Sequence, residues 1–266
     1  MVKESKYKPK PALQGFPEQA YRAIREHILQ GRFALGSAIS RRRLAAELGM
    51  SIIPVSEAIQ RLVQEGLIES KPQVGTRIRI PTETDIRDRI VLREALESQA
   101  ARLFAERAGM AERRELRKLA AELDEMYQQR YAHPENAALV FKVNTAHVRL
   151  HMYIAECSGS AALCGQIEGN DVLFYNWLFD LVGEQPPVPS RFHTDLTAAI
   201  SSTDVTAADT AMRAHIRYNL EATIQSVRRI SAQAEHSWRL RRGEAMGLNR
   251  KAVIRARRKA FSSPLR

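Results

Sequence analysis

Apolar residues recur at helical spacing along most of this chain, and only one short stretch alternates as strands do. Ala20, Tyr21, Ile24, Ile28 and Leu29 share one face of a segment 17–31 that has Pro17 at its start and stops at Gly31. A loop, GRFALGSAI, follows. Ser40 then stands where an N-cap would for RRRLAAEL, which Gly49 closes. Ser51 is placed to cap a third helix with Val55, Ala58, Ile59, Leu62 and Val63 as its buried stripe, ending at Gly66. LIESKPQVGTRIRI breaks the helical period into two β-like runs around a turn at Pro72–Gly75. This order of elements over residues 12–80 predicts a winged helix-turn-helix, with the third helix in the major groove of DNA.

Pro81 and Thr82 read as a short linker, and beyond them no segment alternates for long. Helical periodicity predicts helices over 83–109, 111–131, 135–157, 160–182, 190–202 and 204–230, with breaks such as Gly109, His133–Pro134 and Ser158–Gly159. The expectation is a mainly α protein: a winged head, an all-α bundle of about six helices over 83–230, and a basic tail over 231–266 that reads as disordered.

Charge sharpens this division. The 266 residues carry a formal net charge of +11. Residues 1–80 hold 14 Lys/Arg against 7 Asp/Glu, residues 81–230 hold 17 against 21, and residues 231–266 hold 10 against 2. Basic ends around a mildly acidic middle point to a polyanionic partner for the ends alone. Cys157 and Cys164 are too few for a disulfide framework and fit no redox or zinc spacing, so they read as small buried residues in a reducing compartment. The sequence shows neither a run of about 18 apolar residues nor the apolar core of a signal peptide, and a cytoplasmic protein is expected.

The middle segment carries the candidate chemistry. His147 and His151, at i and i+4, share one helix face, and His193 and His215 lie in later helical segments. Imidazoles gathered from several helices are how bundles build metal sites. Four neutral imidazoles would leave the full charge of a divalent ion in the pocket and favour zinc or nickel over manganese or magnesium. The residues between His147 and His151 include no Glu, unlike the HExxH arrangement of zinc hydrolases, so catalysis is not expected.

The run LAAELGMSIIPVSEAIQRLVQEGLIESKPQVGT resembles the GntR-type DNA-binding head at Leu48, Gly49, Ser51, Pro54, Val55, Glu57, Ala58, Leu62, Glu65, Gly66, Leu67 and Gly75. The family usually carries Arg after the capping Ser and again after Pro-Val; here Ile52 and Ser56 stand in those places. The resemblance places DNA contacts at Arg41, Arg42 and Arg43, of which Arg42 matches a family contact residue. Ser51, Ser56, Gln60, Arg61 and the wing residues Gln73, Thr76 and Arg77 are further candidates.

Downstream, LREALESQAARLFAERA, HVRLHMYIAECSGS and HTDLTAAISSTDVTAADTAMRAHI are similar to motifs of the FCD domain in FadR-type members. In metal-binding members an Asp, a His four residues on and two later His hold a divalent ion. Those roles fall on His147, His151, His193 and His215, with His147 in the place of the Asp. Arg93 matches an Arg that helps hold a carboxylate effector, although its spacing also permits a surface ion pair with Glu97. Tyr175, Asn176 and Asn219 are expected near the same cavity, and LFYNWLF at 173–179 reads as packing or dimer interface. The resemblance implies a homodimeric transcription factor that binds a palindromic operator and answers to a small carboxylate. A purely structural metal, or less plausibly a metalloenzyme, are the alternatives.

Overall fold

The computed structural model describes residues 15–71, 75–169 and 187–234. The head holds α1 (Phe16–Leu29), α2 (Arg41–Leu48) and α3 (Ile52–Gln64), followed by β1 (Ile68–Lys71) and β2 (Gly75–Ile78). Each helix buries the stripe its spacing predicts: Ala20, Tyr21, Ile24 and Ile28 from α1, and Val55, Ala58, Ile59 and Leu62 from α3. Val63, at the margin of the α3 stripe, is half-buried. Ser40 caps α2, accepting from the Arg43 amide, and Gly49 ends it at φ 63. Ser51 occupies the N-cap position of α3, but its side chain makes no capping hydrogen bond.

β1 and β2 pair antiparallel, Ile68 opposite Ile78 and Ser70 opposite Thr76. The predicted loop before α2 contributes more than a connection. Ala38 bridges Arg77, and the Ile39 amide donates to the Thr76 carbonyl at 2.8 Å. This piece of extended backbone borders the wing, and it is too short to leave a period in the sequence.

The bundle comprises α4 (Glu83–Arg107), α5 (Met110–Ala132), α6 (Ala137–Glu156) and α7 (Ala161–Gly169). It continues with α8 (Phe192–Ile200) and α9 (Val205–Arg217), and α10 runs over 220–234. Helix starts follow capping chemistry. Thr82 and Asp85 form a capping box on α4, Asn136 caps α6, and Asp204 accepts from the Thr206 and Ala207 amides at the start of α9. The core is built mainly of α4, α5, α6, α8 and α9, with Phe104, Leu116, Leu123, Leu150, Ile154 and Ile200 fully buried.

Two expectations need correction. The single helix anticipated over 204–230 is broken at Tyr218–Asn219, where Asn219 adopts φ 60, a left-handed conformation that Asn tolerates better than most residues. Its second part runs on to 234, four residues into the segment read as tail. Cys157 and Cys164 are half-buried rather than fully buried. The later part of the helix expected over 160–182, and the tail beyond 234, lie outside the described residues.

Head and bundle share a boundary. Ile86 of α4 and Ile224 and Val227 of α10 are buried in the hydrophobic cluster of the head, and Leu220 packs against both clusters. Arg228 Nε donates to Glu83 at 3.1 Å, Arg87 meets Glu221 at 3.0 Å, and Arg79 reaches Asp85 at 2.7 Å.

Candidate metal centre and nucleic-acid interface

α6 places Asn144, His147 and His151 on one buried face, as their i, i+3 and i+7 spacing requires. α9 delivers His215 in its last turn, and α8 delivers His193 in its first. The Nε2 atoms of His147, His151 and His215 lie 3.0 to 3.2 Å from one another. Metal–nitrogen bonds of about 2.0–2.1 Å, at angles between octahedral and tetrahedral, separate ligand nitrogens by about 2.8–3.4 Å. The triangle therefore has the dimensions of three ligands of one ion. His193 completes the ring cluster, its centroid 4.8 Å from that of His147 and 5.4 Å from that of His215.

The opposite faces of these rings are held by groups that sequence reasoning did not single out. Glu97 Oε2 lies 2.5 Å from His151 Nδ1, and Asp124 Oδ1 lies 2.7 Å from His193 Nδ1. The Tyr127 hydroxyl is 3.2 Å from His147 Nδ1. Phe192 stacks on His215 at 4.6 Å. A carboxylate facing Nδ1 keeps the proton there, so His151 and His193 each present a lone pair at Nε2. The His193 Nε2 is buried and has no hydrogen-bond partner among the described residues. A divalent cation would take up the lone pairs of His147, His151 and His215, whose ligand atoms lie within 4.8 Å of one another, while His193 stands beside that triangle rather than in it.

Burial holds the imidazoles of His147 and His215 well below the ordinary 6.5, with the neighbouring rings adding to it. His193 is lowered too, because desolvation outweighs the opposing pull of Asp124. All three are thus kept as neutral donors. Burial alone would raise Glu97, but the Arg93 guanidinium and the hydrogen bonds from His151 and Arg93 prevail and hold it at about 2. Two carboxylates therefore stand directly behind the imidazoles, but buried Arg93 offsets Glu97, so the charge of a divalent ion here would be compensated only in part.

Arg93 does pair with Glu97, through Nε at 2.6 Å, but the pair is buried rather than on the surface. This joins Arg93, Glu97 and His151 in one chain of contacts. Asn144 is buried, and neither its amide oxygen nor its amide nitrogen has a partner among the described residues. Asn219 sits half-buried at the break between α9 and α10, and Tyr175 and Asn176 lie outside the described residues. Asp124 was discoverable in the sequence as a carboxylate among the buried positions Leu116, Ala120, Leu123 and Tyr127 of α5.

In the head, Arg41 and Arg42 are exposed at the start of α2, and Gln60 is exposed on α3. Arg43 is exposed but pairs with Glu47 at 2.7 Å. Other candidates are engaged within the fold. Arg61 meets Glu18 at 2.7 Å and Glu65 at 3.2 Å, and its guanidinium stacks 3.6 Å over Tyr21, bracing α3 against α1. Thr76 is buried opposite Ser70, Arg77 pairs with Glu69 at 3.0 Å, and Ser56 is half-buried. Ser51 is exposed, and Gln73 falls outside the described residues.

A winged helix-turn-helix joined to a helical bundle with a buried polar centre defines a DNA-binding regulator with an attached second domain. The chain belongs to the GntR family: residues 16–78 match the model of the gntR family of bacterial regulatory proteins, and residues 88–218 match the FCD domain. It is 26% identical over 223 residues to the HTH-type transcriptional repressor RspR of Escherichia coli K12, covering 83% of this chain and 92% of that one. The HTH-type transcriptional regulator YdfH of Escherichia coli O6:H1 is 26% identical over 240 residues, 90% of this chain and 98% of its own. Among solved structures, Escherichia coli McbR/YncC shares the fold with a TM-score of 0.62 at 21% identity, covering 80% of this chain and 99% of that one. The protein is thus a transcriptional regulator with GntR and FCD domains. Among the described residues no helix is long and apolar enough to cross a membrane.

Proposed function

We propose that this regulator binds operator DNA as a homodimer and holds one divalent ion on His147, His151, His193 and His215. A small carboxylate acting at that centre alters its grip on DNA. The observation that carries the metal assignment is the triangle of three Nε2 atoms 3.0 to 3.2 Å apart, backed on their far sides by Glu97 and Tyr127. Imidazole donors favour zinc or nickel. The unpartnered amide of Asn144 supports a polar ligand beside the ion, since buried amides are rarely left unsatisfied. Arg93 adds positive charge to the same network, and Asn219 and Tyr175 remain candidates for the effector's surroundings. The effector has to favour one arrangement of the two heads, because equal affinity for both shifts nothing. On the outer face of α4, Val91 and Leu92 are exposed and apolar, which supports a second copy packing there.

Elemental analysis of protein purified without chelator is expected to find about one zinc or nickel per chain, lowered by His151→Ala, His193→Ala or His215→Ala. Protein that carries no metal, and gains no thermal stability from either ion, would overturn the assignment. Near-complete burial of the four rings also favours a second reading, a structural metal without sensing. A screen of small carboxylates at constant metal separates the two, since only the sensing reading expects a further rise in melting temperature. For DNA, Arg42→Ala is expected to weaken duplex binding several-fold and flatten its salt dependence, about 0.9 in log–log slope per phosphate lost. An unchanged slope would remove Arg42 from the interface.

A further inference from the structure

α3 opens with two adjacent isoleucines, Ile52 and Ile53, that are 48% and 70% exposed. The next two residues, Pro54 and Val55, are buried, so the start of the helix is fixed while its first two side chains meet solvent. Single exposed apolar residues on a protein surface need no explanation. These two differ by position, since the N-terminal residues of a recognition helix are those that approach base edges in the major groove. Ser51 next to them is exposed and makes no capping hydrogen bond, and the head exposes Arg41 and Arg42 at the start of α2, groups suited to phosphate oxygens. The head also carries an excess of Lys/Arg over its first 80 residues. Charge complementarity and continuity with this interface commit the pair to duplex DNA.

We propose that Ile52 and Ile53 form an apolar reading edge that takes the C5-methyl groups of thymine in the operator. A branched aliphatic side chain has no donor or acceptor. Set against guanine, cytosine or adenine, it would strip water from polar edge atoms and offer nothing in return. Thymine alone presents a methyl group to the major groove. Ile52 stands where the resemblance places Arg, a residue that reads guanine through a paired hydrogen bond. This chain therefore selects A·T pairs at the positions that α3 approaches first. The inference rests on the placement of α3 in the major groove.

The test uses the full chain and duplexes enriched from a randomised library. Each thymine of the enriched site is replaced in turn by deoxyuridine, which removes the methyl and keeps the pairing. One or two positions per half-site are expected to weaken about fourfold per methyl lost. Ile52→Ala and Ile53→Ala, which change only exposed side chains, are expected to abolish the difference between thymine and uracil. Arg42→Ala is expected to weaken both duplexes equally. No position sensitive to uracil, no enriched sequence despite salt-dependent binding, or a difference that survives in the double isoleucine variant would each overturn the proposal. Absence of salt-dependent binding to any duplex would instead overturn the reading of the head on which it rests.

Discussion

Tyr127 meets the candidate metal centre through both its ring and its hydroxyl, and the hydroxyl can be removed on its own, which makes it a probe of how the rings are held. Tyr127→Phe keeps the aromatic packing against His193 at 5.1 Å and removes the contact to His147 Nδ1. Metal affinity is expected to fall about tenfold, as for other outer-shell partners, with folding stability reduced by no more than about 1 kcal/mol. Competition titration with a chromogenic chelator checks the first, and denaturant melts of metal-free protein check the second. The same residues set a pH dependence. His147 and His215 lie below 6.5 and Glu97 at about 2 against 4.5. In every case the unfolded chain binds the proton more readily than the folded one, so stability rises with pH between the folded and unfolded values. Metal-free protein is therefore expected to lose stability as pH falls below 6.5, and further as it falls through 4.5. A melting temperature that stays level from pH 7 to pH 5 would contradict this.

The helices of the bundle depend on a clamp that no periodicity announces. Arg113, buried on α5, donates to the carbonyls of Ala105 and Ala108 at the end of α4 and to those of Ser201 and Ser202 after α8. Four carbonyls left over by two helix ends are thus satisfied by one guanidinium. Arg113→Met keeps much of the volume and orphans those acceptors, and it is expected to cost about 3 kcal/mol or more, read from urea denaturation at fixed metal content. Elements were legible where one stripe faced one core, as in α1, α2 and α3. The break at Asn219 was not, because the apolar period runs through it from Met212 and Ile216 to Leu220 and Ile224. The histidines were visible by type and spacing. Of their partners, Asp124 left a trace in the apolar positions around it on α5, whereas Glu97 was read only as a surface mate of Arg93, because a carboxylate on a helix looks the same whether water or an imidazole receives it.

At the scale of the whole molecule, the head does not close its core with its own residues. α10 follows α9, which carries His215, and sets Ile224 and Val227 into the head's hydrophobic cluster. Ile224→Ala is expected to destabilise the head by about 2–4 kcal/mol. Duplex affinity measured close to the head's melting temperature should fall with it, while metal content stays unchanged. If the variant lowered metal content and left the head's unfolding untouched, this packing would be misassigned.

The FCD match ends at 218, and the GntR match ends at 78. The segment that fills the last gap in the head belongs to neither module. Residues 16–78 grafted onto a foreign sensor would carry an open apolar face, and the sensor trimmed at 218 would keep, among the described residues, only the contacts of Ile86 and Asp85 on the head. A working chimera of this regulator has to keep Leu220, Ile224, Val227 and Ile230 of α10 together with the head they complete.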